Sequence, residues 1–352
     1  MTIPFHTHPH GKLLLTAEYA VLDGALALAL PTRLGQSLTV EAGDTPGIAQ
    51  WQSIDHEGNI WFEGQFSLPD FALLRCSDEK VGLALEQVLL ALPGLKPRAI
   101  SGPQPRAISG PQPRAISDTQ PRAISGPQHG AISGPQHGEF DNCPGLQPGA
   151  HIEARLDFPR NWGLGSSSTL IAAVARWFGV DPFQLLADTF GGSGYDVACA
   201  YAPSPILYQV HGEQATITPT RFDPPFKDHL FFVHLGQKQD SRAGIRYYRE
   251  QLTDAAALVR DLSEITEHVL DCTELSVFES LLLEHEYRLA EAINLERAQS
   301  LYFADYPGVI KSLGAWGGDF VLATSPWPEP ETREWFVLHG FDTVLGWNEL
   351  FF

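Results

Sequence analysis

The chain has 352 residues, 43% of them hydrophobic and 11% aromatic, enough apolar material to bury a sizeable core in about two domains, which excludes a disordered polypeptide. A net charge of −19 without a basic cluster that could track a phosphodiester backbone argues against nucleic acid as a partner. Four separated cysteines with no C-x-x-C pair, no apolar run of about 18 residues and no signal-peptide character in Met1–His10 lead to the expectation of a cytoplasmic enzyme that does not touch the membrane.

Near the N-terminus His6, His8 and His10 alternate, which on a strand places three imidazoles on one face. A metal site is the functional reading. Solvated side chains, with His10 beside a cleft, are the preferred one, because three ligands on one exposed strand lack a closing partner. The run Gly11-Lys12-Leu13-Leu14-Leu15-Thr16-Ala17-Glu18-Tyr19-Ala20-Val21-Leu22-Asp23-Gly24 follows, then an amphipathic helix over Asp78 to Leu92. From Pro97 the octapeptide Pro-Arg-Ala-Ile-Ser-Gly-Pro-Gln repeats in tandem to Gln136. One Ile per repeat offers too little apolar area to offset chain entropy, and the Pro and Gly content blocks regular helix or central strand. The segment 97–138 therefore reads as a disordered surface-loop insertion, with a β-solenoid or a Pro-rich binding arm as the alternative.

His151 to Phe158 alternates like a half-buried strand and runs into Pro159-Arg160-Asn161-Trp162-Gly163-Leu164-Gly165-Ser166-Ser167-Ser168. This is a strand exit, a glycine-rich turn and a helix start, an arrangement whose free N–H groups and helix dipole suit a phosphate. Ser166 and Ser167 add hydroxyls for a phosphate oxygen or Mg²⁺. Leu170, Ile171, Val174, Trp177 and Phe178 share one helical face and Gly179 stands at the C-terminal cap. The bland alternative is an ordinary Ser-capped helix after a tight turn. Asp181-Pro182 opens another helix to about Asp188, and Gly191-Gly192-Ser193-Gly194-Tyr195-Asp196-Val197-Ala198 forms a loop in which Asp196 could simply cap a helix starting at Val197. Strands follow at Pro205 to Tyr208 and Ala215 to Pro219. A loop at Phe222-Asp223-Pro224-Pro225 sets the boundary between domains 1–222 and 223–352. Beyond it we expect a strand at His229 to Leu235, helices at Ser241 to Leu252, Ala255 to Leu270 and Glu274 to Ile293, strands at Val309 to Leu313 and Asp319 to Thr324, a helix near Glu331 and a strand near Asp342, an α+β layering.

The Gly11–Gly24 run, the 163–168 turn and the 191–198 loop resemble, in order and spacing, the signatures of the GHMP kinases, the family of galactokinase, homoserine kinase, mevalonate kinase and phosphomevalonate kinase. The first motif is most similar to that of mevalonate kinase, and Gly-Tyr-Asp-Val-Ala resembles a bacterial branch named for its GYDIA signature. The resemblance implies a ribosomal-S5-like N-terminal domain, a ferredoxin-like C-terminal domain and a site between them. It implies ATP and Mg²⁺ as cofactors, a small-molecule acceptor, and leaves room for a homodimer. Asp196 would be the catalytic aspartate and Lys12 its partner. Gly163, Leu164, Gly165, Ser166, Ser167 and Ser168, with Gly314, Ala315 and Gly317 of a third glycine loop, would hold the nucleotide. Ser167 would ligate Mg²⁺, with Asp188 or Glu18 as the acidic ligand. Trp316 and Asp319 depart from the small-residue pattern of that third loop. Trp316 would either stack on a base or fill core. Glu18, Ser193, Gly194, Lys238 and Arg242 would face the acceptor, and Lys238 with Arg242 at a helix start favours a carboxylate-bearing alcohol such as mevalonate or phosphomevalonate. Homoserine or sugar kinase activity, diphosphomevalonate decarboxylation and a non-catalytic nucleotide-binding scaffold are the competing expectations.

Overall fold

A computed structural model describes residues 4–92, 148–212, 214–237, 241–314, 316 and 318–352. The octapeptide segment 97–138, Lys238, Ala315 and Gly317 lie outside these residues, and the expectations attached to them stay expectations.

The first half runs β1 (Phe5–Thr7), β2 (His10–Leu14), β3 (Ala27–Gly43), β4 (Ile48–Ile54), β5 (Ile60–Ser67), β6 (Leu73–Cys76), α1 (Glu79–Leu90), β7 (Gly149–Leu156), α2 (Ser166–Phe178), α3 (Pro182–Thr189), α4 (Tyr195–Cys199), β8 (Ile206–His211) and β9 (Gln214–Pro219). The strands form one sheet in the order β6-β5-β4-β7-β3-β8-β9, with β1 and β2 also paired to β3. At 17 residues β3 is long enough to pair with β1 and β7 at one end and with β2 and β8 at the other. That length connects the first motif, on β2, to the strand that feeds the glycine-rich turn, β7. The β4–β7 pair is parallel. In α2 the buried Ala172, Ala173 and Ala175 alternate with Ile171, Val174, Trp177 and Phe178, so small side chains let the helix pack close while large ones fill the core. Gly179 ends it in the left-handed conformation, as its position after the last apolar residue indicates.

The second half runs β10 (Leu230–His234), α5 (Ser241–Gln251), α6 (Ala255–Leu270), α7 (Leu275–Ile293), α8 (Ala298–Tyr302), β11 (Ile310–Ser312), β12 (Phe320–Thr324), α9 (Glu329–Leu338), β13 (Val344–Gly346) and α10 (Trp347–Leu350). Its antiparallel sheet has the order β11-β12-β10-β13. Every residue of β10 and β12 is buried, which explains why these strands read as continuous apolar runs. Leu258, Leu262, Ile265 and Val269 of α6 and Phe278, Leu282, Leu289 and Ile293 of α7 are buried at three- and four-residue spacing. The architecture is α+β, as expected.

The connection at 221–226 is anchored rather than loose: Phe222 and Phe226 are buried and pack on Phe278, and Phe222 also meets Trp347. One apolar core accordingly runs from Leu13 to Phe351 through both halves. Of the three N-terminal histidines, His6 Nδ1 lies 3.0 Å from Thr39 Oγ1, His8 Nε2 lies 2.7 Å from Asp157, and the His10 ring stands edge-on to both the His8 and Phe352 rings.

Candidate active site

The Lys12 backbone N–H donates to the Leu164 carbonyl at 3.0 Å, which ties the first motif to the glycine-rich turn. Leu164 itself is fully buried and serves as the anchor of the turn. Gly163 and Gly165 both have positive φ, 67° and 96°, a backbone that L-residues rarely adopt. Space is equally restrictive: a methyl group built on Gly165 would fall 2.7 Å from Ser168 Oγ and 3.3 Å from Lys12 Cγ. Gly165 is the residue before α2, and no side chain caps that helix. The turn thus presents backbone N–H groups and a helix N-terminus to the cavity in front of it.

That cavity measures about 510 Å³ and is lined by Lys12, Tyr19, Arg160, Gly163, Gly165, Ser166, Ser167, Ser168, Ser193, Asp196, Arg242, Gly314 and Asp319, among others. It therefore brings together most of the expected residues. Ser193 is buried, and its carbonyl accepts a short hydrogen bond from the Tyr208 hydroxyl; Gly194 packs behind it against Phe183. Arg242 reaches the cavity from α5 with its guanidinium 5.8 Å from the Phe190 ring centre.

Asp196 is in the first turn of α4, which starts two residues earlier than expected because Gly194, in the left-handed conformation, takes the N-cap position. Its Oδ1 accepts from the Val197 N–H at 3.0 Å, so the carboxylate is not the cap and remains directed by the first turn. Burial pushes the Asp196 carboxyl up, while Lys12, the local N–H groups and the Ser168 hydroxyl favour its charged form. Burial also works against the charge of Lys12, but the Asp196 and Asp319 carboxylates and a hydrogen bond to the Tyr195 hydroxyl favour it, and the ammonium is raised above its ordinary value. Lys12 Nζ stands 5.5 Å from the centre of the Tyr195 ring, whose phenol burial pushes up to about 12. The phenol is therefore neutral at ordinary pH, and Lys12 shares the cavity with Asp196.

Glu18 borders the cavity, yet its carboxylate is only 1% exposed and its Oε1 accepts from Lys311 Nζ at 2.5 Å. Lys311 is fully buried on β11, three residues before Gly314. His285 cannot share the charge of Glu18. Burial, and then Lys311, hold its imidazole well below the ordinary value, and Nε2 accepts the Ala17 N–H at 2.8 Å, so the ring proton sits on Nδ1. Glu286 accepts the Ser312 N–H at 2.9 Å. The Lys311–Glu18 pair and the Glu286–Ser312 bond fasten the strand before the third glycine loop to the first motif and to α7.

Burial pushes the Glu286 carboxyl from 4.5 up to about 8. At Glu286 the folded protein therefore keeps a proton that the unfolded chain releases, and the contribution of this group to stability falls as pH rises from 4.5 to 8. Thermal melts across that range should show a smaller decline for Glu286→Gln, which is neutral throughout, than for the wild type; equal declines would remove Glu286 from the account.

Sequence reasoning assigned no role to Tyr19. Its hydroxyl accepts the Trp316 N–H at 2.9 Å, and its ring stacks 5.4 Å from that of Tyr248. Its position next to Glu18 in the first motif is the only signal that could have marked it. Trp316 fills core: it is buried, and Nε1 donates to the Glu296 carbonyl at 2.9 Å. Arg160, which also lines the cavity, lies 3.5 Å above the Trp61 ring.

Among the described residues no three His, Cys, Asp or Glu side chains are grouped to hold a metal. The Ser167 hydroxyl and the Asp196 and Asp319 carboxylates do line the one cavity. These are hard oxygen donors in the small number that Mg²⁺ takes when phosphates and water complete its shell, so the residues fit such an ion. Among the described residues, no helix is long and apolar enough to cross a membrane.

No family model matches the sequence, and no curated protein matches it. Solved structures do. The mevalonate kinase of L. major, in complex with R-mevalonate, aligns over 96% of this chain and 94% of its own at 13% identity, with a TM-score of 0.57. Streptococcus pneumoniae phosphomevalonate kinase, in complex with phosphomevalonate and AMPPNP, aligns over 98% and 99% at 14% identity and 0.59. Lactococcus lactis galactokinase, complexed with galactose, aligns over 96% and 89% at 10% identity and 0.58. Each likeness extends over nearly the whole chain, and with the three motifs converging on one cavity the conclusion is that this chain has the GHMP kinase fold.

Proposed function

We propose that the protein is an ATP-dependent kinase of a small carboxylate-bearing alcohol, with mevalonate or phosphomevalonate as the acceptor. The observation that carries this reading is the convergence of Lys12 and Asp196 on one cavity walled by the 163–168 turn. Phosphoryl transfer needs positioning, charge neutralisation and an acceptor hydroxyl able to lose its proton, and the cavity has a group for each. The N–H groups of the turn and the α2 N-terminus hold the nucleotide phosphates, with the Ser166 and Ser167 hydroxyls beside them. Asp196 receives or orients the acceptor proton, and Lys12 keeps that carboxylate ionised and lowers the cost of negative charge on the attacking oxygen. Mg²⁺, held by Ser167 and a cavity carboxylate, would neutralise phosphate charge when bound.

Arg242, which lines the same cavity as Ser193 and Asp196, supports the substrate class, since an arginine suits a carboxylate on the acceptor. Arg246, one turn along α5 from Arg242, would supply a further cation for phosphomevalonate. Comparing kcat/KM for mevalonate, phosphomevalonate, homoserine and galactose tests this. One of the first two should lead. Galactose leading would overturn the carboxylate argument, and homoserine leading would overturn the isoprenoid one.

A further inference from the structure

We infer that Tyr19 is a positioning residue for the nucleotide: its hydroxyl, fixed in place from α5, sets the third glycine loop through the Trp316 N–H. The inference rests on reading the cavity as a nucleotide site. Tyr19 lines that cavity, as do Gly314 of the loop and Arg242 and Ile245 of α5. Its hydroxyl accepts the Trp316 N–H at 2.9 Å. Trp316 is pinned through its side chain as well, since Nε1 donates to the Glu296 carbonyl at 2.9 Å and the ring belongs to the shared core. The phenol therefore adds a backbone anchor to a loop residue that is already fixed at its other end.

Helix α5 meets the same phenol at two points. The Tyr248 ring stacks on that of Tyr19 with centres 5.4 Å apart and planes 15° from parallel, and the Tyr248 hydroxyl donates to Asp23 at 2.6 Å, so the stack is tied to the first motif. One turn earlier, a methyl group built on Gly244 would fall 2.5 Å from the Tyr19 hydroxyl, well inside van der Waals contact. Glycine is a poor residue for a helix interior; here its missing side chain is what admits the hydroxyl. Tyr19 itself has a φ of 59°, a strained backbone for an aromatic residue, and such strain persists where neighbours over-determine the conformation. Trp316, Tyr248 and Gly244 are those neighbours. The third glycine loop and the helix that brings Arg242 to the cavity thus rest against one hydroxyl. Removing that oxygen alone leaves the ring and its stack on Tyr248 in place but takes the partner from the Trp316 N–H.

Calorimetric titration with ADP in MgCl₂ tests this on the wild type, Tyr19→Phe, Gly244→Ala and the double variant. Tyr19→Phe should stay folded and bind ADP about three- to tenfold more weakly, the effect of one hydrogen bond to a backbone group. Gly244→Ala should weaken binding at least as much, because its methyl group displaces the hydroxyl, even though alanine suits the helix. In the double variant there is no hydroxyl to displace, so ADP should bind as it does to Tyr19→Phe, a non-additivity that marks one shared contact. In turnover of ATP with mevalonate, Tyr19→Phe should raise the KM for ATP by the same factor and the KM for mevalonate by less than about twofold. Unchanged ADP affinity in Tyr19→Phe overturns the inference, as do losses that multiply in the double variant or equal rises in both KM values. Should Gly244→Ala fail to fold, Tyr19→Phe decides alone. Absence of ADP binding to folded wild type overturns the nucleotide reading, and the inference falls with it. Wild type that binds ADP but does not turn over mevalonate loses only the acceptor reading, and the ADP titrations still decide the role of Tyr19.

Discussion

Asp196→Asn is expected to lose about two to four orders of magnitude in turnover while its melting temperature and ADP affinity stay close to those of the wild type. Asparagine keeps the shape of the side chain and can still accept from the Val197 N–H through its amide oxygen. It removes the charge that takes up or orients the acceptor proton. Because burial already disfavours that charge, the substitution carries little cost in folding. Lys12→Met should lower turnover to a similar degree. Turnover of Asp196→Asn at the wild-type rate would make the catalytic assignment wrong, and a large fall in its melting temperature would show that Asp196 is mainly structural.

The second large effect concerns stability. Lys311→Met should cost about 3–5 kcal/mol, the usual result of removing one partner from a buried ion pair. Lys311 and Glu18 are both essentially inaccessible to water, so the abandoned carboxylate can neither hydrate nor find another cation. His285 is uncharged and already accepts the Ala17 N–H. The double variant Glu18→Gln, Lys311→Met buries no charge and should recover a substantial part of the loss. Urea denaturation of the two single variants and the double variant measures the coupling. Additive losses would show that the pair is not coupled. Since Lys311 precedes the third glycine loop and Glu18 belongs to the first motif, the same substitution should also weaken ADP binding.

The parts of the site that were legible in the sequence are those with a local physical signature. Two glycines, serines and an apolar helical face within sixteen residues mark the 163–178 segment, and Gly-Ser-Gly before Tyr195 marks the second loop. Lys12 and Asp196 could be paired only through the resemblance, since 184 positions separate them. The Glu18–Lys311 contact spans 293 positions, and no periodicity records it, so Glu18 was assigned to the acceptor instead. The strands at 48–76 were not anticipated because their residues are mixed: β4 and β5 alternate buried Trp51, Phe62 and Phe66 with Gln50, Gln52, Glu63 and Gln65, and glycine interrupts β5 at Gly64. The pairing of β4 to β7 is non-local, and tertiary partners rather than propensity decide it. Trp316 shows the reverse case, a residue whose position in a glycine loop suggests ligand contact but whose ring completes the shared core.

Acceptor-dependent release of ADP from Mg·ATP is the most direct test of the central claim that this cavity transfers a phosphoryl group to a small alcohol. Purified wild-type protein would be supplied with mevalonate, phosphomevalonate, homoserine or galactose in turn, with the phosphorylated product identified by mass. The account predicts ADP release that rises well above the acceptor-free rate with a carboxylate-bearing alcohol, in step with formation of its phosphate ester, and that is lost in Asp196→Asn. ADP release that no acceptor accelerates, from protein that binds the nucleotide, would contradict it and leave the fold serving as a nucleotide-binding scaffold.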